Sequence, residues 1–162
     1  MASLEFAISL PDGFPGGAMT LLDIALIVFV VLETLNVGLL YRMPGSTMGN
    51  AVGVFKAFGK TRGDPGVAAF VDYLISWVAG TKLIFIVLII GVLIAGSPEI
   101  KVYSGIALVF SIMTFYSRLY PALKRMDKEG QLDPRGYSRT LAIMIGGFIL
   151  VFAVAVLAFL LH

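Results

Sequence analysis

The sequence has no cysteine and only one histidine, His162, among its 162 residues. Without cysteine the chain cannot form disulfides, use a thiol in redox catalysis or hold a metal ion through thiolates. A single histidine also excludes a haem held by two histidines of the same chain. We find no pattern of metal-ligating residues, and the sequence identifies no cofactor.

Charge is scarce as well. Charged residues make up 14% of the chain and hydrophobic residues 59%, and the mean hydropathy is +0.96. A soluble domain normally has about 25% charged residues. Because this chain has too little polar surface to cover itself in water, we expect its solvent to be largely lipid. The length indicates a single membrane domain, residues 1–162.

Four apolar stretches are each long enough to cross a bilayer. About 20 residues at 1.5 Å per residue span a hydrocarbon core of ~30 Å. The sequence therefore predicts an all-α integral membrane protein, an antiparallel four-transmembrane-helix bundle. The predicted spans are residues 19–41, 71–96, 102–120 and 140–161, preceded by a tail at 1–18 and separated by long connections at 42–70 and 121–139.

Lys and Arg residues are concentrated in the two long connections. Four lie after the first span and five after the third, whereas the tail has none and the short hairpin between the second and third spans has only Lys101. The positive-inside rule places such connections in the cytoplasm. We therefore predict that both termini lie outside and that the protein is a multi-pass protein of the cell (plasma) membrane. The sequence leaves open whether the 43–70 connection is helical.

Three ionisable residues fall inside the predicted spans at similar depth. At 1.5 Å per residue, Glu33, Lys82 and Arg118 all lie in the inner half of the membrane. An unpaired charge at mid-membrane costs at least about 2.5–3.5 kcal/mol, so such residues usually face the bundle and find partners. We predict that Glu33 pairs with Lys82, that Asn36 and Arg118 join or flank them, and that Asp72 is a shallower companion.

This predicted charged cluster has two readings that the sequence does not separate. It can fix the register of the helices, with Arg118 extending to the cytoplasmic headgroups. It can equally be a substrate, ion or proton site, as intramembrane charges often are. Neither reading supplies a set of catalytic residues.

The cations of the connections predict contact with lipid headgroups rather than with other polyanions. A basic, glycine-rich segment beside a membrane span suits anionic lipid, and nothing beyond a few loop cations suggests nucleic-acid binding. The predicted headgroup contacts are Arg42, Lys56, Lys60, Arg62, Lys124 and Arg125.

One short stretch resembles part of a known family. Phe115 to Tyr120, FYSRLY, is loosely similar to the arginine-tyrosine region of the membrane-associated eicosanoid and glutathione metabolism family. That resemblance implies a small membrane enzyme acting on lipid substrates. The family's signature at the start of the second span is absent, since the chain reads VDYLISWVAG there, and we assign no family.

Three functions are compatible with the sequence. The first hypothesis is a non-enzymatic accessory subunit or scaffold, in a homo-oligomer or with other membrane subunits, because the predicted bundle leaves broad apolar sides. The second is a small oligomeric transporter or channel lined by the charged cluster. The third is a membrane enzyme acting on a lipidic substrate, with Arg118 and Lys82 as anion-binding groups.

Overall fold

The computed structural model describes residues 19–161, so the predictions for the tail lie outside the described residues. The described chain is helical, and four of its helices are long and apolar enough to cross a membrane. These four agree with the four predicted spans. The helices are α1 (Leu21–Arg42), α2 (Lys56–Thr61), α3 (Pro65–Ala95), α4 (Pro98–Lys128) and α5 (Tyr137–Leu160), with a 3-10 turn at Val52–Val54.

The starts of the long helices follow from their capping residues. Thr20 and Asp23 form a reciprocal capping box at the start of α1, which satisfies two backbone donors that the helix would otherwise leave free. Asp64 caps α3 and Ser97 caps α4, and each is followed by a proline in the first turn. Proline suits that position because its missing N–H is not needed there.

Two of the helices continue beyond the predicted spans. α3 begins at Pro65, and α4 continues through Pro121 to Lys128, although a proline inside a helix removes a hydrogen bond. Leu123, two residues after Pro121, is buried in the same cluster as Phe115. The 42–70 and 121–139 connections are therefore partly helical.

The four long helices pack as two closely joined pairs. α1 packs against α3, α4 packs against α5, and α1 also contacts α5. The core near the start of α1 is built from large side chains of α1 and α5, among them Leu22, Leu26 and Phe152. Gly105 of α4 allows close approach here, because an added Cβ would lie 2.7 Å from Val156. α3 and α4, although consecutive, contact each other little, which leaves a groove between them.

The two long connections fold against each other at one end of the bundle, and we call this region (residues 43–64 and 129–136) the two-loop cap. Phe55 and Leu132 form an isolated antiparallel bridge. Asp133 N donates to Val54 O at 2.9 Å, and Lys56 N donates to Gln131 O at 3.0 Å. Val54 and Leu132 are at most 1% exposed, so the cap has a small apolar core of its own.

Candidate functional site

The centre of the candidate site is an ion pair between α1 and α3. Lys82 Nζ lies 2.5 Å from Glu33 Oε2, and the two side chains are 24% and 23% exposed. Glu33 is twelve residues from the start of α1, or about 18 Å along its axis, so the pair lies well inside the apolar part of the bundle. The structure thus brings together the two charges that the sequence predicts to be partners.

A groove of ≈ 580 Å³ opens beside this pair, and we call it the α3/α4 groove. Its walls are mostly apolar, and the ion pair is the charged part of its lining. Asn50 of the two-loop cap also lines the groove, and Ser104 and Ser111 contribute hydroxyls from α4. The apolar lining comes from α1 (Phe29), α3 (Phe85, Ile86, Leu88, Ile89, Val92), α4 (Tyr103, Ala107, Leu108, Ile112) and α5 (Leu141, Met144, Ile145, Phe148).

Asn36 lies one helical turn from Glu33 but serves a different contact. Its side chain is buried, and its Oδ1 accepts a hydrogen bond from the backbone N of Asn50 at 3.1 Å. Gly49, which precedes Asn50, has a φ of +57°, and an added Cβ would lie 3.3 Å from that same Oδ1. Asn36 therefore anchors the two-loop cap to α1 and flanks the pair rather than joining it.

The structure does not bring Arg118 to the pair. Arg118 is exposed and takes part in no ion pair among residues 19–161. It lies six residues beyond Ile112, the last α4 residue of the groove lining, which is about 9 Å along the helix. Its position agrees with the reading in which the guanidinium extends towards the membrane surface.

Asp72, which the sequence predicts to be a shallower companion of the pair, has Arg62 as its partner. Its carboxylate accepts two hydrogen bonds from Arg62, at 2.7 and 2.9 Å, and both side chains are half exposed. Because α3 begins at Pro65, Asp72 lies seven residues into the helix, near the α2–α3 connection, and it does not join the Glu33–Lys82 pair. The hydrogen bonds to Asp72 raise the pKa of Arg62 above its ordinary value.

A second ion pair was not predicted from the sequence. Lys101 Nζ lies 2.8 Å from Asp23 Oδ1, with side chains 16% and 10% exposed. Asp23 also accepts hydrogen bonds from Thr20. This pair joins the starts of α1 and α4 at the end of the bundle opposite the two-loop cap. The spacing of Thr20 and Asp23 is the capping-box pattern, which could have indicated a fixed carboxylate here.

The six predicted headgroup cations are all exposed, and some of them also have protein partners. Lys56 Nζ donates to Gly130 O at 2.8 Å, and Arg62 lies over the Phe58 ring as well as beside Asp72. Lys124 lies 5.8 Å from the centre of the Tyr120 ring. Arg125 lies 3.9 Å from Glu129. The last of the six, Arg42 and Lys60, are in the final turns of α1 and α2.

The fold and these positions define the class of the protein: a multi-pass helical membrane protein with an ion pair beside an apolar groove. Within residues 19–161, no three His, Asp or Glu side chains are grouped so that they could hold a metal ion. Comparison with known proteins finds no matching family model, no similar curated protein and no similar solved structure.

Proposed function

We propose that this protein binds a lipid-like molecule dissolved in the membrane, within the α3/α4 groove. The observation that carries this proposal is the groove itself, ≈ 580 Å³ in volume and lined by apolar side chains around the Glu33–Lys82 pair. Small-molecule sites have volumes of roughly 300–1,000 Å³, mostly apolar walls and a few polar groups that fix orientation. The groove has all three properties.

The length and volume of the groove suit an extended lipid-like molecule. From Lys82 to Val92 the groove follows ten residues of α3, or about 15 Å. Its volume of ≈ 580 Å³ lies within the range of roughly 300–1,000 Å³ found for small-molecule sites.

Binding is favoured over catalysis by the state of the two charged residues. A general base has to take a proton from the substrate, and the Glu33 carboxylate is already stabilised in its charged form by the Lys82 ammonium. The carboxylate and the ammonium neutralise each other at 2.5 Å. Of the three hypotheses from the sequence, the lipidic ligand of the third is retained; of its two proposed anion-binding groups, Lys82 lines the groove and Arg118 does not.

The proposed setting is the cell membrane, with the two-loop cap on the cytoplasmic side and both termini outside. The support is the distribution of charge: the connections that form the cap carry nine of the twelve Lys and Arg residues. Cytoplasmic loops are enriched in these cations. A ligand would then enter the groove sideways from the bilayer rather than from water.

An accessory or oligomeric role is the second candidate, and it concerns a second hollow that shares Met144 and Phe148 with the groove. This shallow hollow of ≈ 240 Å³ lies between α1 and α5 and is lined only by apolar or glycine residues, including Ala25, Val28 and Gly147. A small residue such as Gly147 lets membrane helices approach closely. We propose this face as the contact for a second copy or another membrane subunit.

The proposed function is tested by filling the groove. Ala107→Phe places a ring into the groove wall, whereas Val87→Phe places the same ring on the exposed side of α3, since Val87 is 65% exposed. Both proteins are extracted gently from the membrane, and bound lipids are identified by native mass spectrometry. We expect wild type and Val87→Phe to retain a bound lipid and Ala107→Phe to lose it. Equal lipid retention by all three proteins would refute the proposal, and a protein partner bound instead would favour the second candidate.

A further inference from the structure

The ion pair in the α3/α4 groove has spare hydrogen-bonding capacity. An ammonium group has three N–H donors, and a carboxylate has about four lone-pair sites. The contact between Lys82 Nζ and Glu33 Oε2 uses one of each. Both side chains line the groove and remain about a quarter exposed. A ligand in the groove therefore meets unused N–H donors and an unused carboxylate oxygen at the same place.

A purely apolar ligand would be poorly matched to this wall. Covering the pair with hydrocarbon would remove it from any other polar contact, and burying polar groups without hydrogen bonds is costly. Ser104 and Ser111 reinforce the point, because their hydroxyls also line the groove from α4. The ligand should therefore carry at least one polar atom at the level of the pair.

The net charge of the wall excludes a strongly charged ligand. Glu33 and Lys82 sum to zero, so neither a cation nor an anion gains a compensating charge there. The pair also lies about 18 Å along α1 from its start and about 13 Å from its end. A phospholipid headgroup would have to leave the membrane surface to reach that depth, at the cost of placing a charge in the hydrocarbon core.

We infer that the groove selects a neutral oxygenated lipid, meaning a long apolar molecule that ends in a ring or chain bearing carbonyl or hydroxyl oxygens. This inference rests on the proposed function and names its ligand class. A carbonyl oxygen accepts a hydrogen bond from Lys82, and a hydroxyl donates one to Glu33. The apolar chain lies along Ile86, Ile89 and Leu108 towards the far end of the groove.

The test compares two probes with the same carbon skeleton, of which only one carries oxygens on its ring. Decyl-substituted benzoquinone carries two carbonyl groups, and decylbenzene carries none. Affinity for purified protein in detergent micelles is measured by equilibrium partitioning. Hydrogen bonds to charged groups contribute enough that we expect the quinone to bind roughly 10- to 100-fold tighter than the hydrocarbon.

Variants of the pair complete the test. Glu33→Leu with Lys82→Met removes both charges together, so no unpaired charge is left buried. This double variant should weaken quinone binding at least about tenfold and leave the affinity for decylbenzene unchanged. Asp23→Leu with Lys101→Met removes a similar ion pair outside the groove. This control variant should keep the wild-type affinities for the quinone and for decylbenzene. Helix content by circular dichroism shows that each variant is folded.

The remaining outcomes separate the inference from the proposed function. Equal binding of the two probes, or tighter binding of an added phosphatidylglycerol, would overturn the neutral oxygenated class while leaving lipid binding in the groove intact. Failure of every probe to bind wild type, together with no effect of Ala107→Phe, would overturn both.

Discussion

The Glu33–Lys82 pair allows a quantitative test of how much a half-buried ion pair contributes inside a membrane bundle. Lys82→Met leaves the Glu33 carboxylate without its partner, and Glu33→Gln leaves the ammonium. Removing one partner of a fully buried pair costs roughly 3–5 kcal/mol, whereas an exposed pair contributes about 0–1 kcal/mol. Because the two side chains are 24% and 23% exposed, we expect each single variant to lose about 2–3 kcal/mol of unfolding free energy.

The double variant distinguishes pairing from two independent effects. With both charges removed, nothing unpaired is left at that depth, so the double variant should be more stable than the sum of the single losses predicts. We expect a coupling energy of about 1.5–2 kcal/mol, within the range found for residues in contact. The assay is reversible unfolding in mixed micelles as the fraction of sodium dodecyl sulfate rises, followed by circular dichroism. Arg62→Gln, in a pair about half exposed, is the control and should change stability by less than about 1 kcal/mol.

Additive losses would refute this reasoning. If the double variant loses the sum of the two single losses within about 0.5 kcal/mol, the residues do not interact energetically in the membrane. If neither single variant loses stability, water must reach the pair freely. In either case the pair could not act as a fixed polar element of the groove.

Three further predictions concern packing, the cap and Arg118. Gly105→Ala should lose about 1–3 kcal/mol of unfolding free energy by overpacking, because its Cβ would lie 2.7 Å from Val156. Gly91→Ala, with open space around it, should not lose stability in the same unfolding assay. Leu132→Ala should lose about 2–4 kcal/mol of unfolding free energy and make the cap more accessible to limited proteolysis. Leu119→Ala, at an exposed position, should change neither the stability nor the proteolysis. Equal protease resistance of the two variants would contradict the apolar core that we assign to the cap. Arg118→Gln should keep both stability and quinone affinity, and a tenfold loss of affinity would show that Arg118 reaches the ligand.

The spans and the central pair follow from the sequence because both depend on depth. Long apolar stretches reveal the helices, and counting residues at 1.5 Å each places Glu33 and Lys82 at the same level. Which of the charges meet depends also on how each helix is rotated about its own axis. The sequence indicates this rotation only weakly, because the helices are apolar on all sides. Depth alone therefore groups Arg118 with the Glu33–Lys82 pair, which it does not contact in the structure.

The features that the sequence did not predict depend on contacts between distant segments. The Asp23–Lys101 pair joins residues 78 positions apart. The groove itself arises because α3 and α4 diverge after a tight turn, and no local pattern in either helix specifies that divergence.

The two-loop cap has a consequence for the order in which the protein can be completed. Its hydrogen bonds join residues far apart in the chain: Lys56 with Gly130 over 74 positions and Tyr137 with Gly49 over 88. These contacts cannot form until the segment leading into α5 has been synthesised, and pairings over such long separations form slowly. During synthesis α1 and α3 are therefore in the bilayer before the two-loop cap has formed at one of their ends. A chain that stalls before α5 would expose the apolar residues of the cap, Val54 among them. These residues would then be accessible to quality-control proteases.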